Sequence, residues 1–158
     1  MSKDDAEGSV VTIRVKDVMA KEPVMVESER TVKETAIEMD RSGHGCLLVK
    51  SCGKIVGIIT ERDLVRKALT KGGSMTRTKI KNIMSSPLIV VEPDASVEEA
   101  AKVMAKHKVR RLPVVGPGGL AGLITVSDIA KYLAEHSEDP ASVLKAMARS
   151  SSGSKMYA

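Results

Sequence analysis

The feature that most constrains this chain is an internal duplication. A shift of 65 residues carries Val15-Lys-Asp-Val-Met19 onto Ile80-Lys-Asn-Ile-Met84, and Thr31-Val-Lys-Glu34 onto Ser96-Val-Glu-Glu99. The same shift carries Met39 onto Met104, Leu47 and Val49 onto Leu112 and Val114, and Gly57-Ile-Ile-Thr-Glu-Arg-Asp63 onto Gly122-Leu-Ile-Thr-Val-Ser-Asp128. No gap is needed, although Pro23 and Pro87 sit one place out of step. Two copies are too few for a solenoid. Each copy is also small for an independent fold, because a unit of ~60 residues buries little of its surface. The expectation is one intimate domain, its two copies packed around a pseudo-two-fold axis.

Hydrophobic patterning gives each copy the order β-α-β-β-α, an α+β unit. In the first, Val24-Met-Val26 reads as a short strand, and Thr31-Val-Lys-Glu34 as a capping box opening a helix to about Arg41. Ser42-Gly43 stops that helix. Cys46 to Val49 and Ile55 to Ile59 read as buried strands joined by a turn at Ser51-Cys-Gly53. A second helix is expected from about Glu61 to Leu69. The second copy predicts strands at Leu88–Val91, Leu112–Val115 and Leu120–Ile124, with helices over Val97–Lys106 and Ser127–Ala134. Lys71-Gly-Gly-Ser74 reads as the linker. The expected domains are residues 10–70 and 75–136, followed by 137–158 as a short helix, over Ala141 to Arg149, and a disordered tail. Residues 1–9 are expected to be disordered too.

Composition narrows the function classes. Phe and Trp are absent and only Tyr132 and Tyr157 are aromatic, so the core must be Val, Ile, Leu, Met and Ala. The net charge of +5 permits a polyanionic partner without demanding one. Cys46 and Cys52 alone make neither a four-ligand metal pattern nor a disulfide framework. The polar start lacks a signal-peptide pattern, and no apolar run is long enough to span a membrane. A cytoplasmic location, with no membrane association, is the expectation.

The informative motif is Gly57-x-x-Thr60-x-x-Asp63 and its copy Gly122-x-x-Thr125-x-x-Asp128, at strand-to-helix junctions. Thr-x-x-Asp is a helix capping box in its own right. The other two helices, however, start with Thr31-x-x-Glu34 and Ser96-x-x-Glu99, which use Glu and have no glycine three places ahead. A strand glycine admits close approach of backbone or ligand. A helix N-terminus offers N–H groups to phosphate. A nearby carboxylate can accept from ribose hydroxyls. A cap and a nucleotide seat are both consistent with these residues.

Together with the Val15-x-x-Val-Met19 and Ile80-x-x-Ile-Met84 segments and Arg111-Leu-Pro-Val-Val115, these junctions resemble a tandem pair of CBS domains, or Bateman module, over roughly residues 13 to 135. The resemblance implies two clefts between the repeats and adenosine ligands: AMP, ADP, ATP or S-adenosylmethionine, with no cofactor required. Cleft one would use Ile58, Thr60, Arg62 and Asp63, with walls from Ile80, Met84, Val109, Arg110 and Arg111. Cleft two would use Leu123, Thr125, Ser127 and Asp128, with Val15, Met19, His44, Gly45 and Cys46. Val109-Arg-Arg111 stands where the first repeat has His44-Gly-Cys46, which favours cleft one for a phosphate ligand, since Arg offers a planar fork of donors. The resemblance also implies a homodimer and a target protein that the residues do not identify.

Other readings are weaker on the residues. His44, His107 and His136 are scattered, with no acidic or thiol cluster to make a metal site. No nucleophile–base pair or paired carboxylates suggest an enzyme. A basic nucleic-acid-binding protein modulated by nucleotide is the alternative function. The cluster Lys102, Lys106, Lys108, Arg110 and Arg111 permits it, but single-strand binders lean on aromatic stacking, and the expected folded part contains only Tyr132.

Overall fold

The computed structural model describes residues 12–136. The helix expected over residues 141–149 and the tails expected at 1–9 and 150–158 lie outside the described residues. The first repeat begins with a short helix α1 (Val15–Val18), strand β1 (Met25–Glu27) and helix α2 (Val32–Ser42). Strands β2 (Cys46–Ser51) and β3 (Lys54–Thr60) follow, then helix α3, whose first turn (Glu61–Asp63) continues as a π-helical run (Leu64–Leu69). The second repeat runs from a 3-10 turn (Ile80–Asn82) to α4 (Val97–His107), β4 (Arg111–Gly116), β5 (Gly119–Thr125) and α5 (Val126–His136).

Local chemistry accounts for these bounds. Both halves of the α2 capping box form: Thr31 N–H donates to Glu34 Oε2 at 2.8 Å and Glu34 N–H to Thr31 Oγ1 at 3.2 Å. Ser96 and Glu99 do the same for α4, at 2.7 and 3.0 Å. Gly43 ends α2 in the left-handed region at φ 70°, and Lys108 ends α4 there at φ 55°. The β2–β3 turn places Cys52 and Gly53 at φ 50° and 74°, as a two-residue hairpin loop with both central residues at positive φ requires.

The first sheet has the order β1-β2-β3, with β1 parallel and β3 antiparallel to β2. The second, among the described residues, consists of β4 and β5. The strand expected at Leu88–Val91 does not form; it is reduced to an isolated parallel bridge between Val91 and Val114. Prolines explain the loss. In the first repeat, Leu48 N–H donates to Val24 O at 3.0 Å and Ser28 N–H to Lys50 O at 2.9 Å. The equivalent donors in the second repeat would be Pro113 and Pro93, and proline has no N–H.

The two repeats interlock. Arg14 bridges Ser96 as Lys79 bridges Thr31, and Ala20 bridges Leu123 as Ser85 bridges Ile58. Every one of these residues maps onto its counterpart by the 65-residue shift, so the pairings define a pseudo-two-fold relation. The cores follow the exchange. Ile80 and Ile83 pack with Val26, Leu47, Val49 and Ile59 of the first repeat. Val15 packs with Val97, Met104, Leu112 and Ile124 of the second.

Candidate functional site

The two Thr-x-x-Asp junctions are built alike. Thr60 caps α3: its N–H and Oγ1 both donate to Asp63 Oδ2 at 3.0 Å, and Asp63 N–H donates back to Thr60 Oγ1 at 3.2 Å. Thr125 and Asp128 repeat the arrangement at 2.8, 2.8 and 3.1 Å. The capping reading of the motif is therefore realised in both copies. It occupies one oxygen of each carboxylate and leaves the other oxygen to face elsewhere.

The motif glycines serve chain packing. A Cβ on Gly57 would collide with Met84 Sδ, and one on Gly122 with the Ala20 carbonyl and Met19 Sδ. These positions must be bare for each repeat to receive the leading segment of the other.

A cavity of about 360 Å³ lies where the two junctions meet, lined by Gly45, Thr60, Glu61, Arg62, Arg110, Arg111, Thr125, Val126 and Ser127. It takes residues from both expected clefts, so Arg110 and Arg111 face Thr125 and Ser127 as well as Thr60 and Arg62. The two hydroxyl-bearing helix starts and three arginines line one space. Such a space is chemically suited to an anion.

Glu61 and Val126 are lining residues that the sequence reading passed over. They form a compensated pair with the residues ahead of β2 and β4. Glu61 N–H donates to Gly45 O at 3.0 Å and Val126 N–H to Arg110 O at 3.0 Å. A Cβ at Gly45 would stand 3.0 Å from Glu61 Oε2, so the glycine admits the carboxylate. In the other copy a smaller apolar Val126 stands beside the long Arg110. Comparing positions 45 and 61 with 110 and 126 carries this signal.

The remaining expected residues, Asp63 and Asp128 among them, do not line the cavity. Val15 and Ile80 are fully buried in the two cores. Met19 and Val109 pack against the second core and Met84 against the first. Ile58 and Leu123 hold the leading segments by backbone pairing. His44 is exposed beside Gly45. Cys46 is buried, and burial pushes its thiol up to about 11, with Arg111 opposing and Asp63 adding to the shift. Cys46 thus feels a cation from one repeat and a carboxylate from the other.

Lys67 is a further residue that the sequence reading passed over. Its ammonium lies 2.9 Å from Asp63 Oδ1 and donates to the Ile83 carbonyl at 3.0 Å. Its position four residues after the motif Asp, with Tyr132 in the copy, was the available signal. Among the described residues no group of three His, Cys, Asp or Glu is placed to hold a metal ion, and no helix is long and apolar enough to cross a membrane.

Comparison with known proteins agrees with this architecture. The CBS domain family model matches residues 15–70 and again 80–135. The CBS domain-containing protein YhcV of Bacillus subtilis is 32% identical over 116 residues, 73% of this chain and 82% of its own length. A solved signal-transduction protein with CBS domains from Burkholderia ambifaria superposes with a TM-score of 0.70 at 33% identity, covering 75% of this chain and 88% of its own. The CBS domain pair of protein MJ0100, solved in complex with 5-methylthioadenosine and S-adenosyl-L-methionine, superposes with a TM-score of 0.71 at 28% identity, covering 78% and 98%.

Proposed function

The chain belongs to the CBS-domain family, and from that premise we propose that it is a regulatory module that binds an adenosine-type ligand and performs no chemistry of its own. The observation that carries the reading is the shared cavity, where Arg62, Arg110 and Arg111 meet the capped starts of α3 and α5. The ligand is AMP, ADP or ATP, or alternatively S-adenosylmethionine. Its ribose sits at Asp63 or Asp128, and any phosphate points to the arginines. The MJ0100 complex supports the ligand class, since that relative holds two adenosine derivatives.

Binding acts on a target protein by shifting the relation between the interlocked repeats. The working form in this reading is a cytoplasmic homodimer. Ile37, Val65 and Leu69, exposed on α2 and α3, offer the apolar surface for a second copy; their counterparts in the second repeat are Lys102, Ala130 and Ala134. The nucleic-acid alternative gains no support from the aromatic inventory: the Tyr132 ring is stacked on His136 at a centroid distance of 4.1 Å.

A thermal-shift panel of AMP, ADP, ATP, S-adenosylmethionine and NAD tests the reading. A ligand present at 100 times its Kd adds about 2.7 kcal/mol of stability, and the shift should vanish in the Asp63→Ala, Asp128→Ala double variant. If no ligand of the panel moves the melting temperature, the reading fails.

A further inference from the structure

We propose that Lys67 is a built-in occupant of the cleft at Asp63, so that the cleft at Asp128 takes the adenosine-type ligand first. This rests on the reading above, assigns its specificity and reverses the order expected from the Val109-Arg-Arg111 wall, since Arg110 and Arg111 also face Thr125 and Ser127. Each carboxylate spends Oδ2 on its own helix cap, which leaves Oδ1 as the oxygen that can meet a ribose hydroxyl. At Asp63 that oxygen is covered by Lys67 Nζ at 2.9 Å. The same ammonium donates to the Ile83 carbonyl at 3.0 Å. Ile83 belongs to the leading segment that carries Ile80 and Met84, the expected wall of this cleft. Lys67 therefore reaches from the carboxylate to the wall, across the space a ribose would need.

The second cleft is built differently. The counterpart of Lys67 is Tyr132, whose ring packs on His136. Asp63 is 8% exposed and buried under its lysine. Asp128 is half-buried, with no ion pair among the described residues. The helices differ in the same place. Lys67 lies within the π-helical run Leu64–Leu69, whereas α5 is α-helical from Val126 to His136. Short π segments are rare and are frequent at functional sites. A ligand entering the first cleft must displace the ammonium from a buried carboxylate. That competition weakens the first cleft roughly ten-fold relative to the second.

Calorimetric titration of the full chain with AMP, and separately with S-adenosylmethionine, tests this. The wild type should bind one ligand per chain at the tighter affinity, and Asp128→Asn should remove that site. Lys67→Tyr should bring a second site to similar affinity, which the Lys67→Tyr, Asp63→Asn double variant loses again. Lys67→Arg, which keeps a cation, should retain the wild-type profile. If every neutral Lys67 variant fails to fold, the wild-type and Asp128→Asn titrations still decide. A tighter wild-type site that disappears in Asp63→Asn overturns the proposal, as do two equal wild-type sites or a folded Lys67→Tyr with unchanged binding. Absence of binding by either ligand in every protein brings down the functional reading itself, and this proposal with it.

Discussion

Ser85 lies antiparallel to Ile58 and exchanges two backbone hydrogen bonds with it, of 3.1 and 2.9 Å. Ser85 belongs to the second repeat and Ile58 to the first. Ala20 and Leu123 make the mirror pairing, with both bonds at 2.9 Å. Each leading segment thus completes the other repeat. It also delivers apolar side chains: Ile80 and Ile83 to the first core and Val15 to the second. The 65-residue period marks a duplication of sequence, while the folding unit is the pair.

This interlocking predicts that the halves do not stand alone. Ile80→Ala removes a fully buried side chain from the first core and should destabilise the whole domain by about 2–5 kcal/mol. Urea unfolding should remain a single transition with a lower midpoint. A fragment of residues 10–70 should show no cooperative melting by circular dichroism. Cooperative melting of that fragment would count against an exchanged core.

A cheaper substitution should stabilise the protein. The first repeat ends α2 with Gly43 at φ 70°, and the second ends α4 with Lys108 at φ 55°. The left-handed region costs a residue with a Cβ about 1–2 kcal/mol. Lys108 is exposed and makes no ion pair or side-chain hydrogen bond among the described residues. Lys108→Gly should therefore raise the urea midpoint by an amount worth about 1 kcal/mol, after the greater freedom of unfolded glycine is counted. No gain would mean that the lysine has a packing role.

What was legible in the sequence was what local chemistry decides. The capping boxes at Thr31 and Ser96, the stop at Gly43 and the Cys52-Gly53 turn needed only their neighbours. The missing strand at Leu88–Val91 depended on a partner 65 residues away from its counterpart. Pro113 was in plain view, but its cost appears only once Leu48 is seen donating to Val24 in the first repeat. The π-helical run around Lys67 has no local signature, because a register of five is set by packing. At the site, spacing singled out the Thr-x-x-Asp junctions, and the resemblance implied Thr60, Arg62, Arg110, Arg111, Thr125 and Ser127, which converge in the cavity. Spacing did not reveal that the two clefts share that space, since sharing depends on how the repeats dock.

Cys46 offers a pH prediction. Burial raises its pKa from 9.0 to about 11, so the folded state favours the neutral thiol. Its contribution to stability is complete below pH 9.0 and is lost as pH rises toward about 11. Urea midpoints should fall more steeply over this window in the wild type than in Cys46→Ala. At about pH 8, a thiol reagent should modify only exposed Cys52 in the native protein and both cysteines in urea.

The cavity's charge balance gives the remaining prediction. Arg62, Arg110 and Arg111 line it together with a single carboxylate, Glu61. Arg111 is partly buried at the start of β4, and a hydrogen bond to a charged group contributes about 1.5–3 kcal/mol. Arg111→Ala should therefore weaken AMP binding by roughly ten- to a hundred-fold, and Glu61→Gln should strengthen it by a few-fold. Adenosine, which carries no phosphate, is the control: neither substitution should change its affinity to a comparable extent. Raising the salt concentration should weaken AMP more than adenosine, because screening acts on the charged contact alone. Equal losses for AMP and adenosine in Arg111→Ala would mean that Arg111 supports the fold of the cavity and that the phosphate lies elsewhere.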